Sequence, residues 1–323
     1  MTPPSLRTAV LVPCHNEEAS IATVVADFRT SLPEATVYVY DNASTDATAD
    51  QARAAGAIVR VEPLAGKGRV VRRMFADIEA DVYVVVDGDA TYDAAAAGPM
   101  VKRLLADQLD MVVGRRIADD SGDGERDRDA YRRGHTLGNR FFSRVLRVLF
   151  GSQFKDVFSG YRVMSRRFVK SLPVTSHGFE IETEITTHAV EVGAACVEID
   201  TTYRARHVDS ESSLRTYRDG FRILRKSIVL FQELRPLRFY TILSAMFTVV
   251  ALALGIRVLI EFIETSKVPH FPTAILAASI QITAFVLLAT GIILNAVGRG
   301  RRDARRLAYL TIPHPTAGAE AAH

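Results

Sequence analysis

The sequence predicts an α/β domain on a mostly parallel sheet, then a basic amphipathic juxtamembrane helix and a two-helix transmembrane hairpin. Three observations carry this. Short apolar runs alternate with helical periods from Thr8 to Val113, which argues for parallel strands joined by right-handed crossovers. Polar residues gather just after successive strand ends, where ligands bind in an open α/β sheet. Two apolar stretches, 239–263 and 271–297, each reach the roughly 20 residues needed to cross hydrocarbon.

Thr8 to Pro13 reads as the first strand, with Cys14-His15-Asn16-Glu17-Glu18 after it and a helix from Ala19 to Phe28. Thr36 to Tyr40 is the second strand. It ends at Asp41-Asn42-Ala43-Ser44-Thr45-Asp46, a polar cluster that also caps a helix over Ala47 to Ala55. Ala57 to Val61 is the third strand, and Gly66-Lys67-Gly68 opens a helix over Val70 to Glu79. The fourth strand, Val82 to Val86, is β-branched at four of five positions, as a strand buried on both faces requires. It stops at Asp87-Gly88-Asp89. Two acids flanking a glycine suit a hard divalent cation carrying a diphosphate, or else form a solvated acidic turn after the strand. A helix over Ala94 to Ala106 and a strand over Met111 to Val113 lead to Gly114-Arg115-Arg116.

From Ile117 to Gly134 the chain is highly charged and lacks an apolar period, so a long loop is expected there. His135 to Phe150 reads as a basic amphipathic helix, packed on the core by default or lying at a membrane surface. Asp156 to Met164 is a turn running into a strand, His177 to Glu184 opens a helix, and Ala195 to Ile199 is the last strand. Tyr203-Arg204-Ala205-Arg206 closes the sheet. Ser213 to Leu234 is a second basic amphipathic helix, the juxtamembrane one. Arg235 and Arg238 flank one end of the apolar pair, and Arg299, Arg301, Arg302, Arg305 and Arg306 the other. The positive-inside rule then places both ends in the cytoplasm. Arg257 snorkels outward or meets Glu261, one turn on. The tail after Pro313 is small and polar, with the composition of a disordered end.

Composition narrows the classes. The formal net charge of the 323 residues is only +3, which gives no global field for nucleic acid. The two cysteines, Cys14 and Cys196, read as reduced core residues and not as a disulfide framework. Residues 1–7 lack the apolar region of a secretory signal, so none is expected. A nucleotide-type crevice joined to a membrane hairpin, with basic residues gathered between, suits a soluble activated donor meeting an anionic lipid acceptor. Arginine forks from Arg115, from the loop containing Arg132, and from Arg206 and Arg215 are candidates to grip the acceptor phosphate.

Five segments in order resemble the family 2 glycosyltransferases of the polyprenyl-phosphate type, which include dolichol-phosphate mannose synthases and bacterial undecaprenyl-phosphate sugar transferases. They are Val12 to Glu18, Asp41 to Asp46, Gly66-Lys67-Gly68, Asp87-Gly88-Asp89 and Asp156 to Arg162. The resemblance covers about residues 8 to 235. It implies a single Rossmann-like domain of the glycosyltransferase A type over 1–210, a juxtamembrane helix over 211–236, the hairpin over 237–298 and a basic, then disordered, cytosolic tail over 299–323. It implies that Pro13, His15, Glu17 and Asp41 face the nucleotide, with Lys67 also on the donor, and that Asp87, Gly88 and Asp89 hold ribose, diphosphate and Mg²⁺ or Mn²⁺. Arg115 resembles the start of a mobile acceptor loop, and Tyr203 to Arg206 a phosphate-gripping segment. Asp89, Asp156, Arg115 and Arg206 make up the candidate catalytic set, with Asp156 either a base or an orienter of Arg162 or of the acceptor loop. Glu180 and Glu182 resemble an acidic pair without a clear role.

The implied reaction is inverting transfer of a sugar from a nucleotide-sugar to a polyprenyl phosphate at the cytoplasmic face of the inner membrane, in cell-envelope glycolipid synthesis. A UDP-sugar is favoured over GDP-mannose, and a homo-oligomer is left open. Four departures bear on this. His15 stands where tyrosine is frequent, Asn42 replaces the second aspartate of a pair, Thr91 stands where mannose synthases carry glutamine, and Ser213 where lysine is usual. The rival enzyme class, processive polysaccharide synthases, uses a tryptophan-bearing motif, and the chain has no tryptophan. A catalytically silent scaffold on the same fold is the rival from another class.

Overall fold

The computed structural model describes residues 6–118, 154–178, 180–204, 228–229, 231–232, 235–268 and 270–315. The expected helix over 135–150, nearly all of the basic helix over 213–234, most of the charged loop, Arg132, Arg206, Arg215 and the last residues lie outside that set. The chain divides into two compact units, one of residues 1–128, 150–213 and 304–323, the other of 129–149 and 214–303.

The first unit is built on strands β1 (Thr8–Cys14), β2 (Thr36–Asp41), β3 (Ile58–Val61), β4 (Val82–Val85), β5 (Met111–Ala118), β6 (Arg162–Ser165) and β7 (Cys196–Tyr203). They form one sheet in the order β3-β2-β1-β4-β6-β5-β7. β1 pairs in parallel with β2 and β4, β2 with β3, and β5 with β7. Helices α1 (Ile21–Ser31), α2 (Thr48–Ala54), α3 (Lys67–Asp77) and α4 (Ala97–Ala106) supply the crossovers, followed later by α5 (Arg166–Ser171) and α6 (Ile181–Val192). α1 shows why these segments are helical. Ile21, Val24, Val25 and Phe28 fall on one stripe and are its buried residues. All four residues of β4 are buried, as expected for a central strand covered on both faces.

Two features depart from the expectation. β6 runs antiparallel to both neighbours, β4 and β5. The cause lies just before it. Residues 156–161 lie past the end of β4, whose last residue Val85 pairs with Arg162, and beside β5, where Gly114 N donates to Tyr161 O at 2.9 Å. A strand that starts where β4 finishes has to run back beside it. Second, β5 does not stop at Val113. It continues to Ala118, paired with β7 up to Ala118↔Tyr203.

The second unit holds α7 (Pro236–Thr265) and most of α8 (Phe271–Leu310), both long and apolar enough to cross a membrane. Only 11% and 17% of their apolar windows are buried, unlike core helices of a soluble domain. Small residues let the pair approach. Ser244 Oγ donates to Ala284 O at 2.8 Å, and Gly291 lies against Tyr240. Glu261 takes Arg257 at 3.6 Å and His270 at 2.7 Å.

The helix runs past Val297 to Leu310, and residues 304–315 group with the first unit. There Arg305 pairs with Glu191, Arg306 Nε donates to Glu191 O at 2.9 Å, and the Tyr309 hydroxyl donates to Asp110 at 2.7 Å. Arg167 covers the Tyr309 ring at 4.8 Å, and His314 Nε2 lies 3.0 Å from Leu109 O.

Candidate active site

The tips of β1, β2 and β4 meet at one edge of the sheet. Each is followed by a non-glycine residue in the left-handed region: Asn16 at φ 54°, Ala43 at φ 55° and Ala90 at φ 58°. Such strain persists only where surrounding bonds over-determine it, and it clusters at functional loops. Those bonds are present. Asn16 Oδ1 accepts from Thr45 N at 2.8 Å, and Glu17 N donates to Thr48 Oγ1 at 2.9 Å. Asp41 Oδ1 accepts from Ser44 N at 3.3 Å. Asp89 Oδ1 accepts from Thr91 Oγ1 at 2.6 Å and from Thr91 N at 3.2 Å. Ser20 Oγ donates to Gly88 O at 2.7 Å, tying the β4 tip to the start of α1.

Asn42 explains one departure from the family pattern. Its amide nitrogen donates to Glu62 O and Leu64 O, at 3.0 and 2.9 Å, and its oxygen accepts from Gly66 N at 2.7 Å. An aspartate there has no proton to donate while ionised. The amide pins the 62–66 loop, and with it Lys67, to the tip of β2. His15 Nδ1 lies 2.8 Å from Asn42 O and joins the same corner.

Four carboxylates converge on this point. The buried Cys14 thiol is pushed well up, by burial first and then by the negative charges of Glu17, Asp41, Asp87 and Asp89. Among the described residues, Lys67 meets one of them, Asp87, together with Glu182. Lys67 Nζ lies 2.6 Å from Asp87 Oδ1 and 2.6 Å from Glu182 Oε1. Burial alone would depress this ammonium, but the charges of Asp87 and Glu182 outweigh that and hold it well above the ordinary lysine range. Its backbone is closely confined. A Cβ on Gly66 would meet His177 O at 2.1 Å, and one on Gly68 would meet Ser176 O at 2.4 Å. Glu184 fixes that passing segment, accepting from Thr175 N at 2.9 Å and Ser176 N at 3.0 Å.

The β5–β6–β7 side of the edge is built differently. Because β5 extends to Ala118, Arg115 and Arg116 point to opposite faces. Arg115 makes a fork with Asp200, at 2.6 and 2.7 Å. Arg116 makes one with Asp156, at 2.8 and 2.8 Å, and its main-chain N donates to the same carboxylate at 3.2 Å. Asp156 is partly buried, which would raise its pKa, but the bonds and charge of Arg116 hold it below the usual carboxylate range. Asp156 therefore orients Arg116, not Arg162. The Arg162 guanidinium is buried and donates to Ser159 O at 2.9 Å and Val157 O at 2.7 Å. Arg116 also covers the Tyr203 ring at 5.5 Å, and Tyr203 packs on Tyr92 at 5.2 Å. Arg204 N donates to Thr91 O at 2.9 Å, so the chain leaving β7 is tied beside Asp89-Ala90-Thr91. Gly160 N donates to the Tyr92 hydroxyl at 2.9 Å, and a Cβ on Gly160 would lie 2.5 Å from Asp87 Oδ2.

Of the residues singled out by sequence, Pro13, His15, Glu17, Asp41, Lys67, Asp87, Gly88 and Asp89 thus share one stretch of edge, with Asp156 further along it. Arg115 is taken up by Asp200, and Arg132, Arg206 and Arg215 lie outside the described residues. Arg116 and Glu182 had no assigned role.

Among the described residues no group of three or more His, Cys, Asp or Glu makes a ready metal cage. Mg²⁺ and Mn²⁺ sites of the nucleotide-sugar kind do not need one, since Mg²⁺ takes one or two carboxylates and completes its shell with phosphates and water. Asp87, part-exposed and already meeting a cation in Lys67, and Asp89 beside it fit that donor set.

Known proteins resemble the chain in sequence and in fold. The model of the family described as "Glycosyl transferase family 2" matches residues 9–172. Glycosyltransferase AglJ of Haloferax volcanii is 32% identical over 289 residues, covering 89% of this chain and 92% of its own. A dolichyl-phosphate hexose transferase of the same organism is 28% identical over 221 residues, covering 68% and 92%. Among solved structures, glucosyl-3-phosphoglycerate synthase of Mycobacterium tuberculosis, in complex with Mn²⁺, UDP-glucose and phosphoglyceric acid, superposes with a TM-score of 0.52. It is 22% identical, covers 69% of this chain and 80% of its own, and shares the fold.

Proposed function

The chain belongs to glycosyl transferase family 2 and is a glycosyltransferase, and from that premise we propose that it moves a sugar from a nucleotide-sugar onto a polyprenyl phosphate, with inversion, at the cytoplasmic face of the plasma membrane. The observation that carries the donor half is the convergence of Glu17, Asp41, Asp87 and Asp89 on the tip of β4, with Lys67 among them. The acceptor half is supported by the two apolar helices and by relatives such as the dolichyl-phosphate hexose transferase. A UDP-sugar is the favoured donor.

Asp87 and Asp89 would hold Mg²⁺ or Mn²⁺, which when bound neutralises charge on the departing nucleoside diphosphate. Pro13, His15, Glu17 and Asp41 line the nucleotide side. An oxygen of the lipid phosphate attacks the anomeric carbon in line, and the bond to the diphosphate breaks with its electron pair. A phosphate monoester is largely dianionic at pH 7, with a second pKa near ~6, so the attack needs no strong base. Asp156 suits the base role poorly, because Arg116 keeps it ionised and weakly basic. It instead positions Arg116 at the head of the segment that continues into Arg132. Arg116, with Arg132, Arg206 and Arg215, offsets repulsion between the two anions. The hairpin lies in the membrane with both its ends on the cytoplasmic side.

The test is to incubate purified full-length protein with polyprenyl phosphate and a panel of radiolabelled sugar nucleotides, with Mg²⁺ or Mn²⁺, and then to extract the lipid. Label in the lipid that depends on both acceptor and cation is the expected result. Label released only as free sugar, or lipid labelling that persists in EDTA, would overturn the reading.

A further inference from the structure

Lys67 is held by two carboxylates that are not equivalent. The Asp87 side chain is 28% exposed and reachable from the crevice, whereas that of Glu182 is 8% exposed. The ammonium is 2.6 Å from each. The main chain around Lys67 is clamped between Asn42 and the 175–177 segment, which leaves the side chain as the part able to move. A buried carboxylate stripped of its partner is strongly unfavourable, so Glu182 does not release Lys67.

Resting on the reading of Asp87 and Asp89 as the cation site, we propose that Lys67 is the exchangeable counter-ion of Asp87. A divalent cation displaces it from that carboxylate, and Glu182 is the positioning residue that retains the displaced ammonium beside the donor diphosphate. Lys67 competes with the metal in the empty enzyme and cooperates with it once the donor is present. Glu182 never touches substrate. Its work is to keep Lys67 from closing onto Asp87 alone.

The experiment measures Mn²⁺ affinity of the full-length protein in detergent, without nucleotide, by the electron paramagnetic resonance signal of free Mn²⁺. Wild type is compared with Lys67→Met, Glu182→Gln, the double variant and Asp89→Asn. Lys67→Met is expected to bind Mn²⁺ about tenfold more tightly, and Glu182→Gln several-fold more weakly; the two charges acting independently would give the same signs but cancel in the double variant. The double variant removes the carboxylate orphaned by Lys67→Met and is expected to follow Lys67→Met. It answers the question if the single variant fails to fold. With UDP-glucose as probe in saturating Mn²⁺, both Lys67 variants are expected to bind at least about tenfold more weakly than wild type. Unchanged or weaker Mn²⁺ binding in the Lys67 variants, with Asp89→Asn still losing the ion, overturns the exchange and leaves the metal site standing. Wild type binding no better than Asp89→Asn removes the metal site itself.

Discussion

Two aspartates at opposite edges of one sheet show what separates a closed carboxylate from an open one. Asp110 precedes β5 at the edge away from the crevice and is 0% exposed. It is saturated, accepting from Arg167 Nε at 2.5 Å, the Tyr309 hydroxyl at 2.7 Å, Ala195 N at 3.0 Å and Ser165 Oγ at 3.2 Å. Asp87 follows β4 at the crevice. It stays part-exposed, and its ammonium partner is shared with a second acid. Both are aspartates at a strand end and both meet a cation. The first is closed to any further ligand, and the second keeps a face toward solvent and a partner that can leave.

The comparison breaks if the two edges respond alike to mutation. The largest expected effect is Asp89→Asn, which should lower transfer by about a hundredfold or more in excess Mg²⁺ while moving Tm little. Full transfer by the purified variant would sink the metal-site reading. Asp110→Ala should do the reverse. It leaves Arg167 without its carboxylate and should cost about 3 kcal/mol, read as a fall in Tm of several degrees with turnover per folded molecule unchanged. A smaller effect is expected of pH at the same edge. His188 is pushed down to about 4, by burial first and then by the charge of Arg305. The unfolded chain then binds the extra proton between about pH 6.5 and 4, so stability should fall as pH drops through that window. Tm against pH should show the slope, and His188→Gln should flatten it. The smallest change is Tyr309→Phe, at about 1 kcal/mol with kcat and KM unaltered.

Much of the crevice at the tips of β1, β2 and β4 was legible because its signal is local. Asp87-Gly88-Asp89 follows an unbroken β-branched run, and Asp41 and Glu17 follow strands of the same kind. Cys14 and Cys196 are free thiols, as two isolated cysteines in apolar runs suggest. The other side depended on where strands end and which way they run. Reading β5 as finished at Val113 left Arg115 and Arg116 side by side in a loop, with Arg115 the candidate. Five further paired residues put them on opposite faces and chose Arg116 for Asp156. The four residues of β6 carry no mark of direction, which comes from where the chain enters. Glu182 meets Lys67 only through the packing of α6 against α3, a contact that no short-range pattern announces.

Gly160 sets a limit on what this fold tolerates. A methyl group there would land 2.5 Å from the Asp87 carboxylate. The smallest possible side chain would therefore push aside the acid proposed to hold the cation, with every ionisable group still in place. On that proposal, bulk alone silences catalysis, at a position that carries no charge and donates only its amide.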